Sequence, residues 1–308
     1  MHINRRNGLW FLGGSLLFGK NALAQEPPTA ATMTRAEFVA HFRAAMSQIE
    51  AAAGGRLGVG LIWKPANSAS HIYEYNGMQK FPMCSTFKLL LAGFILQMVD
   101  ENKLSLTQNI VIRPTDIVAY SPVIQEKSGL TMSIYELCAA IMTRSDNGAA
   151  NILIGLLGGI DEFNHRLRML WDHQTHLDRL EPHLNSAAAN DLRDTTAPAQ
   201  MATNLRQFLM PRANRSVLTP ELQEMFKNWL INNQTGGESI RKGLPSNWVV
   251  GDKTGAGENN TVNDVAVIYL PNGDIIYVAA YLTQARDEFP VNKKYLADVG
   301  RFIAGNFV

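Results

Sequence analysis

The stretch Pro82-Met83-Cys84-Ser85-Thr86-Phe87-Lys88 constrains this chain most. It delivers a serine and a lysine to the mouth of a long apolar helix that continues through Leu89-Leu90-Leu91-Ala92-Gly93-Phe94-Ile95-Leu96. Residues three apart on a helix share a face, so Lys88 stands one turn above Ser85 and can reach its hydroxyl. Serine becomes a useful nucleophile only when a base takes its proton. An amine in a dry pocket or beside other cations can have its pKa lowered enough to do so. The helix amino terminus adds a partial positive charge beside Ser85. In isolation the same spacing describes a capping serine and a solvated lysine, so its meaning depends on its company.

At 308 residues and 46% hydrophobic content, with no repeat or low-complexity segment, the chain has ample core for one catalytic unit of two lobes. Its first 24 residues differ from the rest. Arg5-Arg6 precede an apolar run to Phe18, and Ala22-Leu23-Ala24 close it, which reads as an export signal with an A-x-A cleavage site. The run is too short for a permanent membrane anchor. The paired arginines suggest the twin-arginine route, against the plainer reading of a general secretory signal. The mature protein is therefore expected in the periplasm or outside the cell. Cleavage after Ala24 would remove Arg5, Arg6 and Lys20, taking 28 basic side chains to 25 against 27 acidic ones. A net charge near −2 offers no basic field for nucleic acid or an anionic membrane surface. Cys84 and Cys138 read as small buried thiols in apolar helices and not as a disulfide.

Taken in order, Thr34-x-x-Glu37 is a capping box opening a helix with an apolar stripe of Phe38, Phe42, Ala45, Met46 and Ile49. Arg56–Trp63 and His71–Tyr75 are strand-like. From Ser85 to about Leu230 the patterning is helical, with Ser133-x-x-Glu136 and Thr219-Pro220-Glu221 as start signals. Within it, Leu177–Thr196 lacks periodicity and reads as a long functional loop. Trp248-Val249-Val250 leads to Lys253; Val262–Leu270 and Ile275–Leu282 form a hairpin around Pro271-Asn272-Gly273-Asp274, and a helix covers Lys293–Phe302. The expected fold is α+β and two-lobed: an antiparallel sheet flanked by helices, built from 35–83 and 232–308, with an all-α lobe at 84–231 inserted between them. The site is expected in the cleft.

Three further groups join Ser85 and Lys88. Ser145-Asp146-Asn147 follows a helix, Glu181-Pro182-His183-Leu184-Asn185 lies in the long loop, and Lys253-Thr254-Gly255 enters a strand. Each alone could be a polar turn, a solvated carboxylate or a strand-edge charge. Together, in this order and across nearly the whole chain after the signal, they make the sequence resemble a class A serine β-lactamase of the penicillin-binding-protein superfamily.

The resemblance implies hydrolysis of the β-lactam ring of antibiotics through a serine acyl-enzyme, and hence resistance. Ser85 would attack the lactam carbonyl, with Lys88 and Glu181 sharing the proton work; which of them takes the Ser85 proton stays open. Glu181 and Asn185 would hold the hydrolytic water. Ser145 would protonate the leaving nitrogen, and Asn147 would bond the acylamino side chain of the substrate. Lys253 and Thr254, followed by Gly255, would receive its carboxylate. The backbone N–H groups of Ser85 and Ala256 would form the oxyanion hole. Tyr120 would line the entrance. Arg179 and Asp194 match the pair that pins the long loop.

The sequence departs from the family in places. Val262 occupies the position where many relatives carry a carboxylate-binding arginine; Lys293 is the best-aligned substitute, ahead of Lys294 and Arg241. Gly257 and Ala92 stand where disulfide partners of Cys84 and Cys138 would be. No cofactor is implied, and His173-x-x-His176 lacks the pattern of a helical zinc motif. The partners are small-molecule β-lactams, and a monomer is the default. A membrane-held D-alanyl-D-alanine peptidase, or a β-lactam sensor that stays acylated, would share the serine chemistry. The peptidase should lack Glu181 and Asn185, and the sensor should lack the deacylating glutamate.

Overall fold

Period-two alternation in the apolar runs near both chain ends sends successive side chains to opposite faces, and here both faces are buried. The computed structural model of the protein describes residues 29–30, 32–210, 217–289 and 291–307. The expected export signal lies outside them. Helix α1 (Arg35–Ala53) begins at the capping box, where Thr34 Oγ1 accepts from Glu37 N–H and the Glu37 carboxylate accepts from Thr34 N–H. Strands β1 (Arg56–Lys64), β2 (His71–Tyr75) and the two-residue β3 (Phe81–Pro82) follow. A 3-10 turn at Cys84–Thr86 then leads into α2 (Phe87–Asp100). Phe87 through Leu96 are all buried, as a helix apolar on every face must be.

Next come β4 (Asn109–Val111), β5 (Thr131–Ser133), α3 (Ile134–Thr143), α4 (Asn147–Leu157) and α5 (Ile160–Met169). After the long loop, β6 (Thr195–Thr196), α6 (Pro198–Leu209) and α7 (Pro220–Ile231) complete the middle of the chain. The segment 84–231 is therefore not purely helical. β4 and β5 pair antiparallel to tie down the connection between α2 and α3, and β6 pairs with β3.

The chain returns through β7 (Val249–Gly257), β8 (Thr261–Tyr269), β9 (Ile275–Thr283) and α8 (Lys293–Asn306). The five-stranded antiparallel sheet has the order β2-β1-β9-β8-β7. Its closure joins the two chain ends, with Arg56 opposite Thr283 and Lys64 opposite Ile275. On the outer face Val59, Leu61, Val278, Ala280 and Ala266 pack with Phe38 and Phe42 of α1 and Leu296, Val299 and Ile303 of α8. On the inner face Val265, Val267, Tyr277 and Tyr281 join the core of α2 to α7. Helix α6 presses on β1 where a Cβ on Gly60 would come within 2.5 Å of the Ala199 backbone. The motif Lys253-Thr254-Gly255 lies inside β7 and not at its start. β7 is one of the sheet's two edge strands, and the ladder with β8 carries it on to Gly257.

Candidate active site

The 3-10 turn before α2 puts Ser85 and Lys88 on one face, and Lys88 Nζ lies 2.8 Å from Ser85 Oγ. Cys84, just before the serine, has φ +45°, a conformation non-glycine residues seldom adopt. Its thiol and that of Cys138 are both free and buried. Gly257 does stand across from it, since a Cβ there would lie 2.7 Å from Cys84 Sγ.

Lys88 is wholly buried at the centre of an oxygen cage. Its Nζ reaches Ser85 Oγ and Glu181 Oε1 at 2.8 Å, Ser145 O at 2.9 Å and Asn147 Oδ1 at 2.6 Å. An ammonium has three hydrogens and cannot satisfy four acceptors at once; the serine hydroxyl is the one partner able to donate in return. Burial pulls the Lys88 pKa down, and the Glu181 charge partly restores it. Glu181 Oε1 also lies 3.3 Å from Ser85 Oγ, so a base stands on each side of the nucleophile.

Glu181 owes its place to the loop around it. Asn151 of α4 holds its backbone from both sides, accepting from Glu181 N–H at 3.0 Å and donating to Glu181 O at 2.9 Å. Asn185 Nδ2 donates to Glu181 Oε2 at 2.5 Å. The ends of the loop are pinned by Asp194, which accepts from Arg179 Nε at 2.6 Å and from the N–H groups of Asp178 and Arg179.

Asp146 caps α4 through Ala149 N–H and accepts from Val123 and Ile124 N–H, which positions the 118–124 loop beside Ser145 and Asn147. Ser145, at φ +58°, accepts from Lys253 Nζ at 3.0 Å and thereby ties the turn before α4 to β7. Lys253 is buried, and that burial, with the nearby charge of Lys88, lowers its pKa to about 7. Gly255 allows β7 to approach the nucleophile turn: a Cβ there would lie 2.8 Å from Met83 O.

The cleft in front of these groups is a cavity of about 400 Å³. Ser85, Tyr120, Ser145, Asn147, Asn185, Thr254, Gly255, Ala256 and Lys293 line it. Lys88, Glu181 and Lys253 stand buried behind that lining. Asn147 donates through Nδ2 to Ala119 O as well as accepting from Lys88. Tyr120 is largely exposed at the rim. Of the three candidate cations, Arg241 is bound to Asp252 and Lys294 to Asp287, whereas Lys293 sits over the Phe289 ring at the cleft wall. Sequence reasoning missed Thr235, Ser239, Phe289 and Asn263, which share the lining, and the Asn151 clamp. Only the Thr235-Gly236-Gly237 turn left a local signal. Among the described residues no group of His, Cys, Asp or Glu could hold a metal ion, and no helix is long and apolar enough to cross a membrane.

Residues 41–307 match the family described as the beta-lactamase enzyme family. Beta-lactamase ROB-1 of Haemophilus influenzae is 38% identical over 274 residues, covering 89% of this chain and 87% of that protein. Beta-lactamase Toho-1 of Escherichia coli is 38% identical over 262 residues, 85% and 88% of the two chains. Among solved structures, the class A beta-lactamase of the last common ancestor of Gram-negative bacteria has a TM-score of 0.80 at 43% identity, covering 85% of this chain and 97% of that one. A beta lactamase from Xanthomonas campestris has a TM-score of 0.81 at 38% identity, covering 86% and 97%.

Proposed function

Because this chain belongs to the class A members of the beta-lactamase enzyme family, it hydrolyses β-lactams through a serine acyl-enzyme, and we propose that Ser85 is the nucleophile. The observation that carries this assignment is the position of Ser85 Oγ at the cleft, 2.8 Å from Lys88 Nζ and 3.3 Å from Glu181 Oε1. Ring opening confers resistance to β-lactam antibiotics.

In acylation Ser85 Oγ bonds to the lactam carbonyl carbon, and its proton leaves to Lys88 or Glu181. The carbonyl oxygen becomes an oxyanion facing the N–H groups of Ser85 and Ala256; each such donor is typically worth about 10²–10³ in rate. The C–N bond then breaks, and Ser145 supplies a proton to the nitrogen. Its hydroxyl is suited to this because Lys253 at 3.0 Å and Lys88 at 3.5 Å both lie within reach of its oxygen. In deacylation Glu181 activates a water. Asn185 supports that step, since its Oδ1 is buried with no hydrogen-bond partner among the described residues. Lys253, Thr254 and Lys293 form the end that receives the substrate carboxylate. Asn147 and Tyr120 border the acylamino side.

We further infer that 35–83 with 232–308 and 84–231 behave as two lobes. Export with cleavage near Ala24 and a monomeric state complete the reading; the basis for export is the apolar run and Ala22-Leu23-Ala24.

The test is stopped-flow kinetics and mass spectrometry with a chromogenic cephalosporin. The native chain should turn over many equivalents, and Glu181→Ala should stall as a covalent adduct on Ser85. A native chain that stalls after one equivalent would instead be a penicillin-binding or sensor protein.

A further inference from the structure

On the outer sheet face, behind the wall that carries Lys253 and Thr254, two acidic side chains are buried together. Asp252 of β7 and Asp264 of β8 are both 0% exposed. The ladder sets Asp252 opposite Ala266 and Thr254 opposite Asp264, so the two carboxyls are diagonal neighbours on one face. Their partners are unequal. Asp252 Oδ1 accepts from Arg241 Nη2 at 2.7 Å and from Asn233 Nδ2 at 3.1 Å. Asp264 Oδ2 accepts from Ile240 N–H at 3.1 Å. Asp252 Oδ2 and Asp264 Oδ1 are buried with no hydrogen-bond partner among the described residues.

The charges acting on Asp264 are Asp252 and Lys253 from β7 and Arg241 from the covering loop. Ala280 of β9 faces it across the other ladder, and Leu296, Val299 and Ile303 bring apolar surface from α8 to this face. Burial, reinforced by the Asp252 charge, holds the Asp264 carboxyl well above the usual carboxylate range. Two adjacent buried carboxylates would repel, and one proton between them removes the conflict.

We propose that Asp264 is held as the neutral acid, its hydrogen directed at Asp252, and that it thereby acts as a positioning residue for the carboxylate-binding wall. Asp252 then remains the anion that its two donors require. Asn233 must turn its amide nitrogen to Asp252, which leaves Asn233 Oδ1 to accept from Thr235 N–H at 3.0 Å and Thr235 Oγ1 at 2.9 Å. The Thr235 hydroxyl has one hydrogen and spends it there. In its 2.5 Å contact with Thr254, the Thr254 hydroxyl is therefore the donor. In the substrate-free protein the Thr254 hydrogen is thus held on Thr235, fixed from Asp264 through Asp252, Asn233 and Thr235, and on the reading given above for Thr254 it must turn from Thr235 to serve the substrate carboxylate.

Infrared spectroscopy of the substrate-free protein at neutral pH tests the proton directly. The native chain should show the C=O band of a protonated carboxylic acid, and Asp264→Asn should remove it. Asp264→Ser, which keeps a donor in less space, gives a second check on the same band. No β-lactam is needed, so this outcome is independent of which residues bind substrate. Kinetics then test the positioning. Asp264→Asn retains a donor and should keep KM within about twofold, whereas Asp252→Asn should raise KM about tenfold with kcat changed much less. Absence of the band, its survival in Asp264→Asn, or a milder effect of Asp252→Asn than of Asp264→Asn would each overturn the proposal.

Discussion

Lys253 is a cation kept where cations are costly. Its folded pKa is lowered to about 7, first by burial and then by Lys88, whereas an unfolded lysine keeps its proton to about 10.4. Between those values the unfolded chain binds the extra proton, so this residue makes stability rise with pH across that window, and below about 7, where both states hold the proton, its destabilising contribution no longer changes with pH. For substrate binding the sign is opposite. As pH climbs through about 7 the carboxylate loses its cationic partner, and KM for a β-lactam should rise. Lys253→Arg replaces a titrating group with one that does not titrate, so its KM should stay flat across the same range. A native KM that does not move would reject the assignment. Residues of this kind were legible in the sequence because their chemistry sits in contiguous motifs. Ser239, Phe289 and Asn263 were not, because each is ordinary in its own neighbourhood and becomes part of the cleft only by long-range packing. Asp252 did carry a signal: an acid beside the motif lysine, in a strand otherwise suited to burial.

At the scale of elements, the loop 177–196 shows how a segment without periodicity can be held as firmly as a helix. Asn164 of α5 fixes Leu177 through two hydrogen bonds, Asn151 fixes Glu181, and Glu258 N–H donates to Asn185 O. Asp194 is its main anchor, fully buried and accepting three hydrogen bonds from Asp178 and Arg179. Asp194→Ala would leave Arg179 Nε and two backbone donors without their acceptor, with Asp191 alone still beside the guanidinium, at a cost of roughly 3–5 kcal/mol. The expected phenotype is retained acylation with slow release of the adduct, measured by mass spectrometry over time; unchanged turnover would show that the anchor is dispensable. Sequence periodicity placed α1, β1, β2, β8 and β9 within a few residues but left β4, β5 and β6 inside a stretch read as helical, and the capping boxes at Thr34 and Ser133 marked two helix starts where they occur. What it could not supply was extent. β7 runs through the Lys253 motif to Gly257 because β8 offers a partner that far, and α8 continues to Asn306 because its apolar face still meets the sheet. Such limits are set by tertiary partners and leave no local mark.

For the molecule as a whole, one sheet serves two cores, and the packing between them is tight at β1. Gly60→Ala would push a methyl group into the Ala199 backbone at 2.5 Å, forcing α6 outward and costing about 1–3 kcal/mol, readable as a lower midpoint of thermal unfolding. An unchanged midpoint would mean that α6 slides freely on the sheet. The pairing of β1 with β9 has a consequence for how the enzyme comes into being. During synthesis Ser85 and Lys88 emerge first, while Lys253 arrives on a strand whose neighbour β8 is itself held by β9, made later than either. The nascent chain must wait, its first strand unpaired on one side, until its own tail comes back to meet it. Contacts between such distant parts of a chain are slow to form, and nothing resembling the finished cleft exists before they do. Chains stopped before β9 should therefore show no β-lactam turnover at all, not a weakened form of it.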